Sequence, residues 1–106
     1  MRKTQTYDQQ VYEYLKLIPK GKVSTYGDIA LYLGNKKLAR VVGNILHNNP
    51  DPIGQPCFKV VNARGRLAAH FGGGIDLQRQ RLKDDGVEVI NDIVDLAKYH
   101  WSIKTK

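Results

Sequence analysis

The segment TYGDIALYLGNKKLARVVGNILH, residues 25–47, decides the fold of this chain. Thr25 and Asp28 suit a helix start, because a threonine and an acidic residue three positions later satisfy free N–H groups of a first helical turn. Gly34 and Asn35 end this short helix and begin another. The apolar stripe of the second helix consists of Leu38, Val42, Ile45 and Leu46. Two short helices joined by a tight glycine turn predict a helix-turn-helix.

The opposite face of the second helix carries Lys36, Arg40, Gly43, Asn44 and His47. Their spacing places them together and away from the apolar stripe. Basic and amide side chains reach DNA phosphates and base edges, and Gly43, which costs about 1 kcal/mol relative to alanine inside a helix, allows close approach of a partner. We interpret this surface as a recognition face for DNA. An ordinary solvated helix face is the alternative.

The segment before the helix-turn-helix predicts a further helix. Thr6 and Gln9 have capping-box spacing, and Pro19 stops the helical pattern. The apolar positions between them are Val11, Tyr14, Leu15 and Ile18. Their spacing predicts one helix with a single buried face.

The only cysteine, Cys57, follows Pro56 and a turn-rich segment, residues 48–52. Prolines restrict the chain there, so this loop can hold the thiol in place. A thiol is nucleophilic only as thiolate and needs help from a neighbour at neutral pH. The alternative is that Cys57 is a small buried apolar residue.

The segment after the cysteine predicts a basic hairpin. Residues 58–61 and 66–68 indicate two short strands around residues 62–65, with Arg64 and Arg66 at or beside the tip. A basic hairpin that follows a helix-turn-helix is a wing.

The C-terminal segment predicts further short elements. Residues 76–85, which precede a glycine, indicate a polar fourth helix, and residues 87–90 alternate as a strand does. Residues 91–96 fit either a second hairpin or the start of a last helix, and periodicity does not decide between them. The side chains expected to pack this tail onto the core are Tyr99 and Trp101.

Composition limits the size of the protein and its partners. A length of 106 residues, 42% of them hydrophobic, predicts a single domain over residues 1–106 with one modest core. The net charge of +7 and the pI near 9.6 favour a polyanionic partner such as nucleic acid. One cysteine, no long apolar run and no signal-peptide pattern predict a cytoplasmic protein without membrane association. We also expect a monomer with no cofactor. We expect no structural metal, because Cys57 and the histidines lack the spacing of metal ligands.

Four blocks of the sequence, residues 18–30, 39–43, 49–50 and 56–61, together resemble a known family. Their order and spacing are similar to those in the DNA-binding, active-site domain of methylated-DNA–protein-cysteine methyltransferases. The resemblance implies a mainly α fold with a small β-hairpin, a winged helix-turn-helix. The family's separate N-terminal domain has no counterpart in this sequence. In that respect the chain is similar to the short alkyltransferase-like proteins, which recognise alkylated guanine without repairing it.

The resemblance implies roles for four residues. Tyr26 matches the tyrosine that helps rotate the target nucleotide out and donates a proton to the guanine oxygen as the alkyl group leaves; a core tyrosine is the alternative. Arg40 matches the arginine finger that fills the space left by the flipped base, whereas a surface phosphate contact is the alternative. Asn49 matches an asparagine that ties the recognition helix to the active-site loop. Cys57 matches the nucleophile that takes the alkyl group irreversibly.

These implied roles define the candidate site and its partners. The predicted DNA contacts are Tyr26, Lys36, Arg40, Asn44, Arg64 and Arg66. The predicted lesion pocket comprises Asn49, Pro56, Cys57, Phe58, Phe71 and Gly72. Double-stranded DNA with an alkylated guanine is therefore the expected partner, with repair-pathway proteins as further partners.

The sequence departs from the family beside the nucleophile. Phe58 and Lys59 stand where the family's usual motif has histidine and arginine, and that histidine is the general base. Its acidic partner corresponds to Asp85 or Asp84, and without an imidazole neither is expected to reach the thiol. The non-repairing relatives usually carry tryptophan or alanine at the nucleophile position, whereas this chain keeps its cysteine.

Two main hypotheses follow. In the enzyme hypothesis, Cys57 attacks the alkyl carbon of a flipped alkylguanine, with His70, water or the field of the pocket replacing the missing base. In the binding hypothesis, the same pocket captures the lesion and the complex signals to other repair factors. A winged-helix regulator that reads base edges is a third hypothesis. The pocket loop, residues 69–74, aligns with the family only after a one-residue shift, which leaves the roles of His70, Phe71 and Gly72 open.

Overall fold

A computed structural model of the chain describes residues 6–51, 54–67 and 74–103. The α-helices in these ranges are α1 (Tyr7–Leu17), α2 (Tyr26–Leu33), α3 (Ala39–His47), α4 (Gly74–Asp84) and α5 (Leu96–Tyr99). The strands are β1 (Ser24–Thr25), β2 (Val60–Val61), β3 (Val89–Ile90) and β4 (Ile93–Val94). Two 3-10 turns span Lys36–Leu38 and Cys57–Lys59. The described helices include none that is both long enough and apolar enough to span a membrane.

Helix α1 forms where the sequence predicts it. The Thr6 side chain accepts a hydrogen bond from the Gln9 N–H, and the Gln9 side chain accepts one from the Thr6 N–H, which completes a capping box. The helix ends just before Pro19. Its predicted apolar face is buried, as the exposed fractions of Val11, Tyr14, Leu15 and Ile18 show.

Helices α2 and α3 confirm the predicted helix-turn-helix. Thr25 and Asp28 form a second capping box at the start of α2, and Gly34 ends that helix with φ +113°, a left-handed conformation that glycine adopts at no steric cost. The Asn35 side chain then accepts from the Lys37 N–H and caps the 3-10 turn that leads into α3. The buried residues of α3 are Val42, Gly43, Ile45 and Leu46. Val42, Ile45 and Leu46 pack with α1 and α2 in one hydrophobic cluster.

Strand β2 pairs differently from the prediction. Val60 and Val61 pair in parallel with Ser24 and Thr25 of β1, rather than with Arg66 and Leu67; the last residue of the predicted second strand, Ala68, lies outside the described residues. Residues 57–59 are not part of a strand, because the Lys59 N–H donates to the Pro56 carbonyl and closes a 3-10 turn. Both valines of β2 are fully buried, so this strand needs a partner from within the core, and residue alternation does not identify that partner.

The predicted hairpin around residues 62–65 is a tight turn whose flanks pair elsewhere. The Asn62 N–H donates to the Arg66 carbonyl across the turn, at 3.0 Å. Arg66 forms an isolated antiparallel bridge with Ile93, which belongs to β4. The turn therefore packs onto the C-terminal hairpin formed by β3 and β4.

Both alternatives for residues 91–96 occur, one after the other. Asn91 and Asp92 have φ values of +53° and +61° and turn β3 into β4, after which Asp95 caps α5. The tail then pairs with the N-terminal half of the chain, because the Trp101 N–H donates to the Val23 carbonyl at 2.8 Å. The Trp101 ring meets the Tyr14 ring edge-on at 5.6 Å, which confirms that this tail packs on the core.

Candidate functional site

Tyr26 is the first residue of α2 and lines a cleft against α3. The cleft has a volume of about 430 Å³ and is lined by Tyr26, Ala39, Arg40, Gly43 and Asn44. Burial raises the pKa of Tyr26 to about 12, and the nearby Cys57 adds to the shift. The phenol therefore stays protonated at neutral pH and can donate its proton.

The polar face of α3 is open to solvent, as the sequence predicts. Arg40, Asn44 and His47 of α3 are exposed, as is Lys36, which the structure places in the 3-10 turn before α3 rather than in the helix; Gly43 is buried at the cleft. A Cβ atom added at Gly43 meets nothing within 4 Å, which is consistent with open space above its backbone. This face therefore presents cationic and amide side chains around a cleft that is open above Gly43.

Cys57 begins the 3-10 turn that follows Pro56, and 7% of its surface is exposed. Its N–H donates to the Gln55 carbonyl at 2.7 Å, and the Asn49 Nδ2 donates to the same carbonyl at 2.7 Å. The Asn49 Oδ1 accepts from the Gln55 Nε2 at 2.8 Å and from the Asp51 N–H at 2.9 Å. Asn49 thus joins the end of α3 to the loop that carries the thiol.

The surroundings of Cys57 disfavour the thiolate. Burial raises the pKa of the thiol, while the hydrogen bond with Asn49, a backbone hydrogen bond and the charge of Arg81 act in the opposite direction without cancelling the effect. The pKa of the Cys57 thiol therefore lies above its ordinary value, and the thiol is mostly protonated at neutral pH. It is held in place but is weakly nucleophilic.

Two buried polar side chains position the turn of Cys57, and the sequence interpretation missed both roles. The Gln78 Nε2 of α4 donates to the Phe58 carbonyl at 3.0 Å and to the Val60 carbonyl at 3.1 Å. The Lys59 Nζ donates to the Pro19 carbonyl at 2.7 Å and lies 3.0 Å from the Asp85 carboxylate. Two signals in the sequence could have indicated these contacts. Lys59 lies inside an apolar run, and Gln78 lies four residues before Leu82, on the buried face of the helix.

Comparison with known proteins identifies the family. Residues 6–87 match the family described as 6-O-methylguanine DNA methyltransferase, DNA binding domain. The chain belongs to this family. The family match therefore includes the helix-turn-helix, the cleft of Tyr26 and the turn of Cys57.

Individual members of this methyltransferase family are similar along most of the chain. A protein of Vibrio parahaemolyticus named DNA base-flipping protein is 42% identical over 94 residues, which cover 87% of this chain and 92% of that protein. A bifunctional methyltransferase/endonuclease of Picrophilus torridus is 41% identical over 92 residues, but the chain spans only 30% of its length. The crystal structure of S. pombe Atl1 with damaged DNA containing O6-carboxymethylguanine has a TM-score of 0.82 at 33% identity, with 92% of this chain and 95% of Atl1 covered. The alkyltransferase-like fold is thus that of this chain.

The resemblance makes Asp85 or Asp84 the counterpart of the acid that pairs with the family's histidine. In this structure both carboxylates have other partners. Asp85 forms the ion pair with Lys59 and accepts a hydrogen bond from the Gly21 N–H at 2.9 Å. Asp84 accepts from the Gln80 side chain. Asp85 therefore holds the backbone around residue 21 and the turn of Cys57 together.

The remaining predicted site residues divide into those described and those outside the described ranges. Arg64 and Arg66 are exposed at the turn of residues 62–66, where the Asn62 Oδ1 accepts from both of their N–H groups. Pro56 and Phe58 are half-buried beside Cys57 in the chain. His70, Phe71 and Gly72 lie outside the described residues.

Proposed function

We propose that this protein binds duplex DNA, rotates an O6-alkylguanine nucleotide out of the helix and captures it beside Cys57. The observation that carries this proposal is the cleft in which Tyr26 of α2 meets Arg40 and Asn44 of the exposed α3 face. A base-flipping relative and the complex of Atl1 with damaged DNA support the same function. The net charge of +7 supplies the attraction to phosphates.

The groups of the cleft and the cations outside it have different parts in this process. Arg40 enters the base stack and fills the space of the flipped nucleotide, since its guanidinium is planar and always charged. Tyr26 holds the rotated nucleotide and keeps a proton for the guanine oxygen. Lys36, Arg64 and Arg66 contact phosphates, with the turn of residues 62–66 acting as the wing, and these contacts set affinity rather than sequence preference.

The state of the thiol favours capture over rapid repair. In an alkyl transfer, the Cys57 sulfur bonds to the alkyl carbon, the bond between that carbon and the guanine oxygen breaks, and Tyr26 protonates the oxygen. The thiol proton has to pass to water first, and a proton from water later restores Tyr26; burial raises the pKa of Cys57 while Phe58 supplies no base. We therefore expect transfer to be slow, with the bound lesion passed to repair-pathway proteins by a monomeric, cytoplasmic protein.

The binding function is tested with the Arg40→Ala variant. Fluorescence anisotropy on duplexes with and without O6-methylguanine should show a larger loss of affinity for the damaged duplex, because only the flipped complex uses the finger. Lys16→Ala, which removes an exposed cation of α1, is the matched control for net charge. Equal losses on both duplexes would make Arg40 a simple phosphate contact, and an affinity that does not change with salt would remove the electrostatic argument.

The chemistry is tested with the Phe58→His variant. In intact-mass time courses at saturating lesion DNA, Cys57 of Phe58→His should be alkylated about 10²-fold faster, the lower end of the ~10²- to 10⁴-fold that general-base assistance is typically worth. The estimate is at the lower end because Asp85 is committed to Lys59 and does not orient the new imidazole. If both proteins are alkylated at the same rate, the missing histidine is irrelevant and this account of the site is wrong.

A further inference from the structure

The chain that follows α5 is hydrogen-bonded to the backbone just before β1 and α2. The Val23 N–H donates to the Tyr99 carbonyl at 2.9 Å, and the Trp101 N–H donates to the Val23 carbonyl at 2.8 Å. Val23 is fully buried, so these two bonds hold both of its backbone polar groups inside the fold. His100 lies between the two contacts and directs its side chain at α2.

The His100 side chain contacts the carboxylate of Asp28 in the first turn of α2. Its Nε2 atom lies 2.6 Å from the Asp28 Oδ2 atom, which also accepts from the Ser24 hydroxyl and the Thr25 N–H, each at 3.1 Å. Burial acts to raise the pKa of Asp28, but hydrogen bonds led by that from His100 hold it below its ordinary value, so the carboxylate is ionised at neutral pH. An ionised carboxylate only accepts hydrogen bonds, and His100 is therefore the donor.

This carboxylate is also connected to the core. Because the Ser24 hydroxyl gives its one proton to Asp28, the Tyr14 hydroxyl donates to Ser24, at 2.7 Å. Tyr14 and Ser24 are fully buried, whereas the His100 side chain is 38% exposed. The hydrogen bonds thus run from the core to the surface, and His100 is the outermost donor.

Tyr26 lies between the residues that this carboxylate joins. The Thr25 N–H donates to the Asp28 carboxylate and the Asp28 N–H donates to the Thr25 hydroxyl, which encloses the backbone of Tyr26 in the capping box of α2. The phenol of Tyr26 then lines the cleft against Arg40. The family match ends at residue 87, so His100 belongs to a part of the chain beyond it.

We infer that His100 is a positioning residue for Tyr26: it holds the Asp28 carboxylate, and through it the first turn of α2, so that the phenol faces the rotated nucleotide. The inference deepens the proposed function and rests on it for capture of the lesion. Phosphate contacts do not depend on Tyr26, so loss of the His100 donor should weaken the hold on a flipped base while leaving binding to undamaged duplex nearly intact.

The inference is tested by fluorescence anisotropy with duplexes that contain or lack O6-methylguanine, at one salt concentration. His100→Ala should weaken binding of the damaged duplex by about 3- to 10-fold and of the undamaged duplex by less than about 2-fold. His100→Gln should keep most of the native preference for damage, because its amide nitrogen can donate to Asp28. His100→Leu, which lacks a donor but fills more of the volume of the ring, replaces His100→Ala if the latter melts early.

A double-mutant cycle with Tyr26→Ala separates positioning from a general loss of structure. In the Tyr26→Ala background, His100→Ala should cause no further loss of preference, because the group that it positions is gone. Lys98→Ala, which removes an exposed cation of α5, is the matched control and should leave the preference unchanged. Equal losses on both duplexes, a full further loss in the Tyr26→Ala background, or a preference that His100→Gln does not keep would overturn the inference.

Hydrogen exchange of the free protein distinguishes failure of this inference from failure of the proposed function. The Thr25 and Asp28 amides, which donate within the capping box, should exchange faster in His100→Ala than in the native protein, while the amides of α3 stay unchanged. A native protein that shows no preference for the damaged duplex rejects the proposed function. Faster exchange confined to residues 25–28 would then still support the positioning of Tyr26, and unchanged exchange there would overturn it.

Discussion

Replacing Lys59 by methionine should destabilise the protein far more than the loss of an ordinary surface lysine. The Lys59 side chain is 5% exposed, and its Nζ contacts the Asp85 carboxylate at 3.0 Å and the carbonyls of Ile18 and Pro19 at 3.3 and 2.7 Å. Methionine has a similar volume, so Lys59→Met removes the charge and the donors without creating a large cavity. It leaves Asp85 and two carbonyls without this partner.

The magnitude follows from the burial of the pair. Removing one partner of a buried ion pair typically costs about 3–5 kcal/mol, because the other charge stays buried without compensation. The Asp85 side chain is 17% exposed and still accepts from the Gly21 N–H, which places the cost near the lower end, at about 3 kcal/mol. A domain of this size has a free energy of unfolding of about 5–15 kcal/mol, so the effect is large.

Urea denaturation at pH 7, followed by circular dichroism, measures this cost. Lys16→Met is the matched control, because it makes the same chemical change at an exposed position of α1 and should cost less than about 1 kcal/mol. Adding Asp85→Asn to Lys59→Met should recover part of the loss, since the amide keeps an acceptor for Gly21 and removes the uncompensated charge. The reasoning is refuted if Lys59→Met and Lys16→Met lose the same free energy of unfolding.

Two further predictions concern Gly65 and Asp28. Gly65→Ala should lower the free energy of unfolding by at least about 1 kcal/mol, because φ is +84° and the new Cβ overlaps the Val94 carbonyl. Gly43→Ala is the control, because open space at its Cβ should leave the free energy of unfolding unchanged or raise it. Both are measured in one series of thermal melts, and similar melts for the two variants would contradict this prediction. Burial acts to raise the pKa of Asp28, but hydrogen bonds led by that from His100 outweigh it and hold the pKa below its ordinary value. Such a carboxyl stabilises the fold above its unfolded pKa of about 3.9, and this contribution is lost as pH falls through the folded pKa. The stability difference between native protein and Asp28→Asn, measured by urea denaturation from pH 7 to 3, should therefore shrink below about pH 4, and a constant difference would show that Asp28 does not act through its charge.

The helices were predictable because their signals are local. Capping boxes at Thr6 and Thr25 and the left-handed Gly34 depend on a few neighbouring residues, and the structure confirms all three. The partner of β2 was not predictable, because strand pairing depends on residues far apart in sequence and both faces of β2 are buried. Residues 91–96 fit two patterns because a hairpin and a short helix follow each other there.

The candidate site shows the same division between local and distant signals. Residue type and helical spacing grouped Arg40 with Asn44, and the resemblance added Tyr26, which the structure places in the same cleft. The contacts of Lys59 and Gln78 were missed, because a polar side chain is buried only when distant backbone groups satisfy it. Their partners lie 40 and 20 residues away in the chain.

The parallel pairing of β1 with β2 has a consequence for folding. Tyr26 directly follows β1, and the turn of Cys57 directly precedes β2, so the two backbone segments that carry the phenol and the thiol are joined by this one short ladder. Forming the ladder closes a loop that contains α2, α3 and the segment after them, and closing a loop of this length has an entropic cost that only later contacts offset. The two groups therefore acquire their relative position only when this loop has closed, so the site forms late in folding rather than from a local segment.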